Sequence, residues 1–560
     1  MIVKTAPKIL IVGLDAATFD VIGPLMDGGE LPNLATLARE GASGVLWSCV
    51  PPLTPPSWTS FMTGKNPGKH GVFDFRARPS DPFSEEFVTA DWIGCESIWE
   101  ILNRHGIRVG AVNVPMTYPP FSGSDCMISG MMTPGEHVTF SHPDDLLEEL
   151  RRGGIDYRLD YNHAVGGRVA PVTETRLLLK ALKSCELVRR DACVSLMRTR
   201  PVDVFMVVLG ITDHVPHLCW NYHEQQMQGA EGGDDDELCE AVRDAYRLSD
   251  LVLGDLLEEC GEETTVIVMS DHGFGPTDMT FAVNRWLEEQ GFLRYRRRRG
   301  AQAVGNIEWR VRRRTVEGWL ARLGLSGVTG KLPTALRTQV VPLIAPRRKI
   351  SSEDIDWSKT VAYASGAGIY VNVEARSPEG CVPAGPEHEK VREEIIAALS
   401  TVTDPQSQQR LLDVAWRKEE IYTGPFVDEA PDLFFSLGGF RYLPNTDFGL
   451  ARTFRPNLSG THRLEGVLMM RGPAIRAGAQ LDQASIMDIA PTLLYLLNLP
   501  IPSDMDGKLL REALWPEHMH RHPALVTDVE QPAYRERGKT PYSAQDAASM
   551  KERLKGLGYL

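Results

Sequence analysis

The sequence predicts an α/β protein whose mainly parallel central sheet is flanked by helices. Short apolar runs rich in β-branched residues alternate with longer amphipathic segments, which is the pattern of such a sheet. Three of the apolar runs lead into acidic residues, at Asp15, Asp213 and Asp271. Because the carboxyl ends of strands in open α/β sheets border the ligand crevice, we expect these three side chains to converge there.

The individual elements follow from length and periodicity. Strands are predicted where short apolar, β-branched runs occur, at residues 9–14, 107–112, 204–211, 265–270, 368–373, 432–436 and 466–470. Helices are predicted where the pattern is longer and amphipathic, at residues 144–152, 173–199, 238–259, 486–496 and 551–560.

The length of 560 residues allows roughly three or four domains, or one large core with insertions. We predict that residues 1–293 and 356–515 form this core. A mostly helical cap insertion is expected at 120–200, and an Arg-rich helical insertion at 294–355. Residues 516–560 are expected to form a C-terminal tail that packs on late or stays peripheral.

The composition argues against several function classes. The net charge of −14 makes a nucleic-acid partner unexpected, because neutralising phosphates needs a basic surface. The nine cysteines include no C-x-x-C pair, which disfavours a disulfide framework and fits a reducing compartment. No apolar stretch approaches the ~18 residues of a membrane helix, and the run at 9–14 is too short for a signal peptide. We therefore expect a cytoplasmic protein.

Histidines accompany the acidic residues. His217 lies four positions after Asp213, which places both on one helical face. His272 directly follows Asp271, and His462 lies near the far end of the chain. Carboxylate oxygen and neutral imidazole nitrogen suit Zn²⁺ or Mn²⁺. Three aspartates and three histidines are enough donors for more than one ion.

A candidate nucleophile lies in the segment 51–64. Pro55 and Pro56 suit a loop that enters the first turn of a helix, which leaves Thr54 at the mouth of that helix. The positive end of the helix dipole favours a phosphoryl group at this position. A threonine hydroxyl is a poor nucleophile at neutral pH unless a metal ion lies beside it. Thr54 therefore needs a neighbouring metal site.

Taken in order, these motifs resemble the type I phosphodiesterase and nucleotide pyrophosphatase family of the alkaline phosphatase superfamily. The resemblance extends to about residue 510 and implies that the core predicted at 1–293 and 356–515 is an alkaline-phosphatase-like catalytic core. It rests on Asp15, Thr54-x-Pro56-Ser57, Asp213-x-x-x-His217, Ser270-Asp271-His272-Gly273 and Gly460-x-His462.

The resemblance implies two divalent metal ions per chain, Zn²⁺ first and Mn²⁺ as the alternative. The first ion would be held by Asp213, His217 and His462. The second ion would be held by the residues Asp15, Thr54, Asp271 and His272. Thr54 would attack phosphorus and form a phospho-threonine intermediate that is then hydrolysed.

Two departures from related sequences bear on the substrate. Ser57 stands where eukaryotic nucleotide pyrophosphatases have an asparagine, so we predict that Ser57 contacts a phosphoryl oxygen, with a plain helix-capping role as the alternative. Sulfatases of the same superfamily need a C/S-x-P-x-R motif. Thr54 and Trp58 stand where that motif needs Cys or Ser and Arg, which disfavours sulfate esters.

The predicted function is hydrolysis of a phosphodiester or pyrophosphate bond in a small phosphorylated substrate. A phosphomonoesterase, and a phosphoryl or phospho-alcohol transferase that uses the same residues, remain as alternatives. For the Arg-rich insertion at 294–355, three roles stay open: packing on the core, a lid over an anionic substrate, and peripheral contact with an anionic membrane.

Overall fold

The computed structural model of the chain describes residues 6–77, 80–84, 86–159, 172–227, 236–296, 350–374, 376, 379–457, 459–530, 533–535, 537–538 and 541–556. The described strands are β1 (Ile9–Leu14), β2 (Ala42–Trp47), β3 (Val109–Val114), β4 (Cys126–Ser129), β5 (Ser141–His142), β6 (Val204–Leu209), β7 (Thr265–Met269), β8 (Gly273–Pro276), β9 (Met279–Ala282), β10 (Ala362–Ser365), β11 (Gly368–Val371), β12 (Leu412–Arg417), β13 (Leu433–Leu437), β14 (Tyr442–Asn445), β15 (Phe454–Pro456), β16 (Gly460–Arg463), β17 (Glu465–Arg471), β18 (Ala479–Ser485), β19 (Ile501–Pro502) and β20 (Val526–Thr527).

The described α-helices are α1 (Phe19–Asp27), α2 (Pro32–Glu40), α3 (Thr54–Thr63), α4 (Pro67–His70), α5 (Ile98–Arg104), α6 (Leu146–Arg152), α7 (Val172–Thr199), α8 (Ile211–Met227), α9 (Asp236–Leu257), α10 (Val283–Gln290), α11 (Pro386–Leu399), α12 (Lys418–Ile421), α13 (Ile489–Leu496), α14 (Pro516–Arg521) and α15 (Ala544–Gly556).

The central sheet has the strand order β18-β2-β17-β7-β1-β6-β3-β4-β5. The strands from β7 through β1, β6 and β3 to β4 are all parallel, and β17 is antiparallel to both of its neighbours. Helices flank this sheet on both faces, so the predicted fold class is confirmed.

The two faces of the sheet are buried in separate cores. In β1, Ile9 and Ile11 pack on the side of α3, whereas Leu10 and Val12 pack on the side of α1, α2, α8 and α9. Successive side chains of a strand point to opposite faces, so a strand covered by helices on both sides must be apolar throughout. This explains the continuous apolar run that made β1 recognisable.

A second body lies outside the central sheet. It contains the four-stranded sheet β10-β11-β13-β12 and the three-stranded sheet β14-β9-β15. Phe281, Tyr370 and Leu433 are among its buried core residues. The strands predicted at 368–373 and 432–436 exist as β11 and β13, but they belong to this body. An apolar run bounded by turns does not reveal which strand it pairs with.

The described part of 120–200 differs from the predicted cap insertion. β4 and β5 extend the central sheet beyond β3, and α7 packs on α8, α9, β3 and β6. β4 has four residues and β5 has two, so neither run was long enough to be recognised as a strand. These residues therefore contribute to the layers of the core.

The C-terminal tail is integrated into the main core. Met550 and Leu554 of α15 are fully buried together with residues of α3 and α5. Tyr542, just before α15, lies beside the rings of Phe87 and Tyr118 and donates a hydrogen bond to the carbonyl of Met132. Of the two expectations for the tail, the described residues of α15 fit packing on the core and not a peripheral position.

Most of the Arg-rich insertion predicted at 294–355, namely residues 297–349, lies outside the part of the chain that the structure describes. Its role in membrane contact therefore stays a prediction. Within the described ranges, none of the helices combines the length and apolar character that crossing a bilayer requires. The cytoplasmic location also stays a prediction.

Candidate active site

Three aspartates lie together at one edge of the central sheet. Asp15 follows β1, and Asp271 follows β7 after one residue. Asp213 lies in the first turn of α8, which follows β6 after one residue. The register pairs Leu14 with Leu209 and Gly13 with Met269, so the ends of these strands are level. All three carboxyl groups are buried, with at most 3% of each residue exposed. The predicted convergence of the three strand ends is therefore observed.

Helix α8 presents Asp213 and His217 side by side. Asp213 Oδ1 lies 3.3 Å from His217 Nε2 and 3.3 Å from His462 Nε2, and the two Nε2 atoms are 3.0 Å apart. The i, i+4 spacing accounts for the first contact, because residues four apart share a helical face. These three side chains are those that the resemblance assigns to the first ion.

His462 reaches the site through strand pairing. β16 is antiparallel to β8, which begins directly after His272, and the register places His462 opposite Phe274. The rings of His272 and His462 consequently stack with their centroids 3.7 Å apart. The two histidine-bearing segments, distant in sequence, thus form one wall of the site.

Backbone carbonyl groups fix the orientation of two imidazole rings. His272 Nδ1 lies 3.2 Å from the carbonyl oxygen of Gly273, and His462 Nδ1 lies 2.9 Å from that of Pro52. A carbonyl oxygen only accepts, so Nδ1 of each ring carries the proton and donates it. In the neutral ring this leaves a lone pair on each Nε2, which faces the carboxylates and can bind a metal ion.

A second group of donors surrounds His272 Nε2. This atom lies 3.2 Å from Asp271 Oδ2, 3.8 Å from Asp15 Oδ1 and 3.4 Å from Thr54 Oγ1. The structure thus brings together Thr54 and the three side chains that the resemblance assigns with it to the second ion.

The electrostatics of the cluster show a shortage of positive charge. Burial and the neighbouring carboxylates raise the pKa of Asp15 well above its ordinary value, and burial raises the pKa of Asp271 in the same way. Asp213 is also buried, but His217 and His462 hold its pKa well below its ordinary value. Burial lowers the pKa of both His272 and His462, which favours the neutral form that metal binding requires.

The donor set fits divalent metal ions. Among the described residues, two triads bring one ligand atom each to within 4.8 Å of one another: Asp213 with His217 and His462, and Asp15 with Asp213 and His272. In the part of the chain that the structure describes, Asp15 Oδ1 and Asp271 Oδ2 are buried oxygen atoms that accept no hydrogen bond. Unsatisfied buried carboxylate oxygens beside imidazole nitrogens match the ligand preferences of Zn²⁺ and Mn²⁺. Asp213 belongs to both triads, whereas the family resemblance assigns it only to the first ion.

Thr54 is the first residue of α3 and is fully buried. Pro55 and Pro56 follow it, as the sequence predicts for the start of this helix. Proline has no N–H, and the amide of Ser57 donates to the carbonyl of Leu53 at 3.0 Å. Among residues 54–57, Thr54 is therefore the one whose amide is neither a proline nitrogen nor bonded to the carbonyl of Leu53.

The hydroxyl group of Ser57 contacts the segment that follows β2. Its Oγ lies 2.9 Å from Ser48 Oγ and 3.4 Å from Cys49 Sγ. Ser57 is fully buried in this arrangement. The suggested contact between Ser57 and a phosphoryl oxygen stays a prediction.

Two groups that the sequence patterns did not reveal hold the carboxylates in place. Trp58 Nε1 donates to Asp15 Oδ2 at 3.2 Å, and the amide of Ala16 lies 3.3 Å from Asp271 Oδ1. The Trp58 ring also lies so close to Gly13 that a Cβ atom there would come within 2.5 Å of it. Trp58 is four residues after Thr54, and this helical spacing was the available signal that both side chains face the same edge.

Comparisons with known proteins show which family and which folds this chain resembles. The profile of a family described as type I phosphodiesterase / nucleotide pyrophosphatase matches residues 9–437, a region that includes Asp15, Thr54, Asp213 and Asp271 and ends before His462. Phosphonoacetate hydrolase from Sinorhizobium meliloti 1021, solved in complex with phosphonoformate, is similar in structure with a TM-score of 0.50 and 15% identity, over 87% of this chain and 95% of that chain.

Murine ectonucleotide pyrophosphatase / phosphodiesterase 5, solved in complex with AMP, aligns with a TM-score of 0.45 and 13% identity, over 88% of this chain and 95% of that chain. No curated protein has a matching sequence. At these identities the structural similarity supports the fold alone, and the alignment with phosphonoacetate hydrolase carries that support.

Proposed function

Because the chain belongs to the type I phosphodiesterase / nucleotide pyrophosphatase family, whose members hydrolyse phosphoric ester bonds, we propose that it cleaves a phosphodiester or pyrophosphate bond through Thr54. The observation that carries the proposal is the position of Thr54 Oγ1, 3.4 Å from His272 Nε2 at the edge of the buried carboxylate and histidine cluster. A small phosphorylated molecule is the proposed substrate class.

Two divalent ions are part of the proposal, with Zn²⁺ as the expected metal and Mn²⁺ as the alternative. One ion would be held by Asp213, His217 and His462, and the other by Asp15, Thr54, Asp271 and His272. When bound, the ions would supply positive charge to the phosphoryl oxygens and lower the pKa of the Thr54 hydroxyl group.

Thr54 is the proposed nucleophile. Its oxygen forms a bond to phosphorus while the bond from phosphorus to the leaving-group oxygen breaks, and the hydroxyl proton is balanced by the proton that the leaving group gains. Water then attacks the phospho-threonine, which restores the Thr54 hydroxyl and releases the second product. The start of α3 contributes to both steps, because the positive end of a helix dipole stabilises an anionic phosphoryl group.

The histidines contribute as neutral, oriented donors. His272 and His462 are held by the carbonyl groups of Gly273 and Pro52, so each Nε2 is already aimed at the cluster before anything binds. A site whose donors need not reorganise is preorganised for charge that develops in the transition state.

The test compares three proteins on a panel of esters. The parent, Thr54→Ala and the matched control Thr54→Ser, which keeps a hydroxyl group, are assayed with bis-p-nitrophenyl phosphate, p-nitrophenyl phosphate and nucleotide esters in the presence of Zn²⁺ or Mn²⁺. We expect the parent to prefer diesters or pyrophosphates, the alanine variant to lose several orders of magnitude in turnover, and the serine variant to retain part of it.

Acid quenching followed by mass spectrometry should find a phosphoryl group on the peptide that contains Thr54, and with a diester substrate this group should still carry the ester substituent that did not leave. Elemental analysis should find two divalent ions per chain, and chelation should abolish turnover. Near-parental turnover by Thr54→Ala, or full activity without metal, would contradict the proposal. A clear preference for the monoester would favour the phosphomonoesterase alternative, and transfer to an alcohol in place of water would favour the transferase.

A further inference from the structure

Helix α7 carries a buried ion pair that the proposed reaction does not use. Its buried stripe recurs at helical spacing, at Thr175, Leu178, Leu182, Glu186, Arg189, Cys193 and Leu196. Two positions of this otherwise mainly apolar stripe are charged. Glu186 is 3% exposed and Arg189 is 1% exposed, and Arg189 Nη1 donates to Glu186 Oε2 at 2.5 Å.

The second carboxylate oxygen of Glu186 contacts the helix that carries two of the candidate metal ligands. Glu186 Oε1 accepts a hydrogen bond from the backbone N–H of Ile211 at 3.0 Å. Ile211 is the first residue of α8, and Asp213 follows two positions later. The first N–H groups of a helix have no partner within the helix, so a carboxylate at this point fixes where the helix starts.

The charge of Arg189 makes this contact compatible with the neighbouring site. An isolated carboxylate would add a further negative charge to an edge that already holds Asp15, Asp213 and Asp271, at a large desolvation cost. With Arg189 at 2.5 Å, the pair presents a strong hydrogen-bond acceptor to α8 without adding net charge.

Stability alone is a weak explanation for such a pair. Replacing a buried ion pair with apolar residues of similar size is often neutral or stabilising, because both charges must be removed from water. The contact with Ile211 supplies a specific role instead. Fixing the start of α8 fixes the position of Asp213 along the helix axis and, one turn later, the position of His217.

We propose that Glu186 is a positioning residue that fixes α8, and with it Asp213 and His217, for the ion held by these side chains and His462. The inference rests on the proposed function for the two-ion site. Asp15, Asp271 and His272 lie on other elements, so removal of the Glu186 contact should weaken binding of the first ion more than binding of the second, whose donors Asp213 also approaches.

The decisive variant removes both charges. In Glu186→Leu/Arg189→Leu the stripe of α7 becomes apolar, and the Ile211 N–H loses its acceptor. The matched control is Glu259→Gln, which disturbs the ion pair that the buried Glu259 makes with Arg198 of the same helix, away from α8. The glutamine variant Glu186→Gln keeps an oxygen that can accept the Ile211 N–H.

Apo protein is titrated with Zn²⁺ in competition with a chromophoric chelator, and thermal midpoints are recorded for every variant. The parent should bind two ions. The leucine pair should bind one ion about 10- to 100-fold more weakly than the parent does, with a clearly smaller loss of affinity for the other ion. Glu186→Gln and Glu259→Gln should lose less affinity than the leucine pair. The thermal midpoint of the leucine pair should stay close to that of the parent.

Parental affinity for both ions in the leucine pair would overturn the inference, as would an equal loss at both sites that follows a fall in the thermal midpoint. A parent that binds a single ion would contradict the two-ion function, and the inference would then be decided by whether the affinity for that ion falls in the leucine pair. A parent that binds no ion would overturn both.

Discussion

His70 provides the sharpest prediction about stability, because it is a fully buried histidine held in its neutral form. It is the last residue of α4, and its Nδ1 accepts the N–H of Val72 at 3.2 Å. Its Nε2 therefore carries the proton and donates to Ser60 Oγ at 3.0 Å. Burial, with a smaller contribution from the charge of Lys65, lowers the pKa of His70 to about 3.

The sign and size of the effect follow from this pKa. In the unfolded chain the histidine has a pKa of about 6.5, so between pH 6.5 and pH 3 the unfolded state binds a proton that the folded state does not bind. Stability is therefore present above pH 6.5 and is lost as the pH falls. Between pH 6.5 and pH 5.0, His70 alone should lower the free energy of unfolding by about 1.5–2 kcal/mol.

The perturbation is His70→Asn, whose side-chain oxygen can still accept the Val72 N–H but does not titrate. Denaturant unfolding of the metal-free protein, followed by tryptophan fluorescence, is measured at pH 5.0 and 6.5 for the parent, this variant and the exposed control His520→Asn. Between pH 6.5 and pH 5.0, the free energy of unfolding of His70→Asn should fall by about 1.5–2 kcal/mol less than that of the parent. If His70→Asn and the parent show the same pH dependence, the reasoning from burial is refuted.

Three further predictions test other contacts. Trp58→Phe removes the N–H that donates to Asp15 and should weaken zinc binding about 10-fold or more in a chelator competition. Unchanged zinc affinity would exclude a role for this hydrogen bond in metal binding. Leu554→Ala should cost about 2–5 kcal/mol in denaturant unfolding, because the side chain is fully buried, whereas a peripheral tail would give a change below about 0.5 kcal/mol. Asp504→Ala leaves the buried ammonium group of Lys65 without its carboxylate and should lower the free energy of unfolding by about 3–5 kcal/mol. The added change Lys65→Met should restore most of this stability, and no recovery in the same unfolding assay would contradict the reasoning.

Much of the fold could be predicted from local patterns. β1 was expected at 9–14 and occupies Ile9–Leu14, because a strand buried on both faces is apolar at every position. α7 was expected at 173–199 and occupies Val172–Thr199, because its buried stripe repeats at helical spacing. The short strands β4 and β5 escaped recognition, since four and two residues are too few to show a period.

The placement of the tail and the second body could not be read from such patterns. α15 has a modest apolar stripe, and nothing in its sequence indicates that Met550 and Leu554 complete the core beside α3. The apolar runs of β11 and β13 predict strands but do not indicate which sheet the strands join. Their pairing in a separate body depends on partner strands that local periodicity does not identify.

The sequence by itself determined which chemistry was available and where parts of it would lie. Asp15 and Asp271 follow apolar strands, and Asp213 with His217 shares one helical face, because strand ends and i, i+4 spacing are properties of single elements. The tertiary structure decided how these parts combine. His462 meets His217, 245 positions away in the chain, through the pairing of β16 with β8, and Asp213 comes within reach of both metal triads. Glu186 reaches α8 only because α7 packs against it. Contacts of this kind depend on how separate elements share buried surface, and the free energy of that packing is not encoded in any one segment.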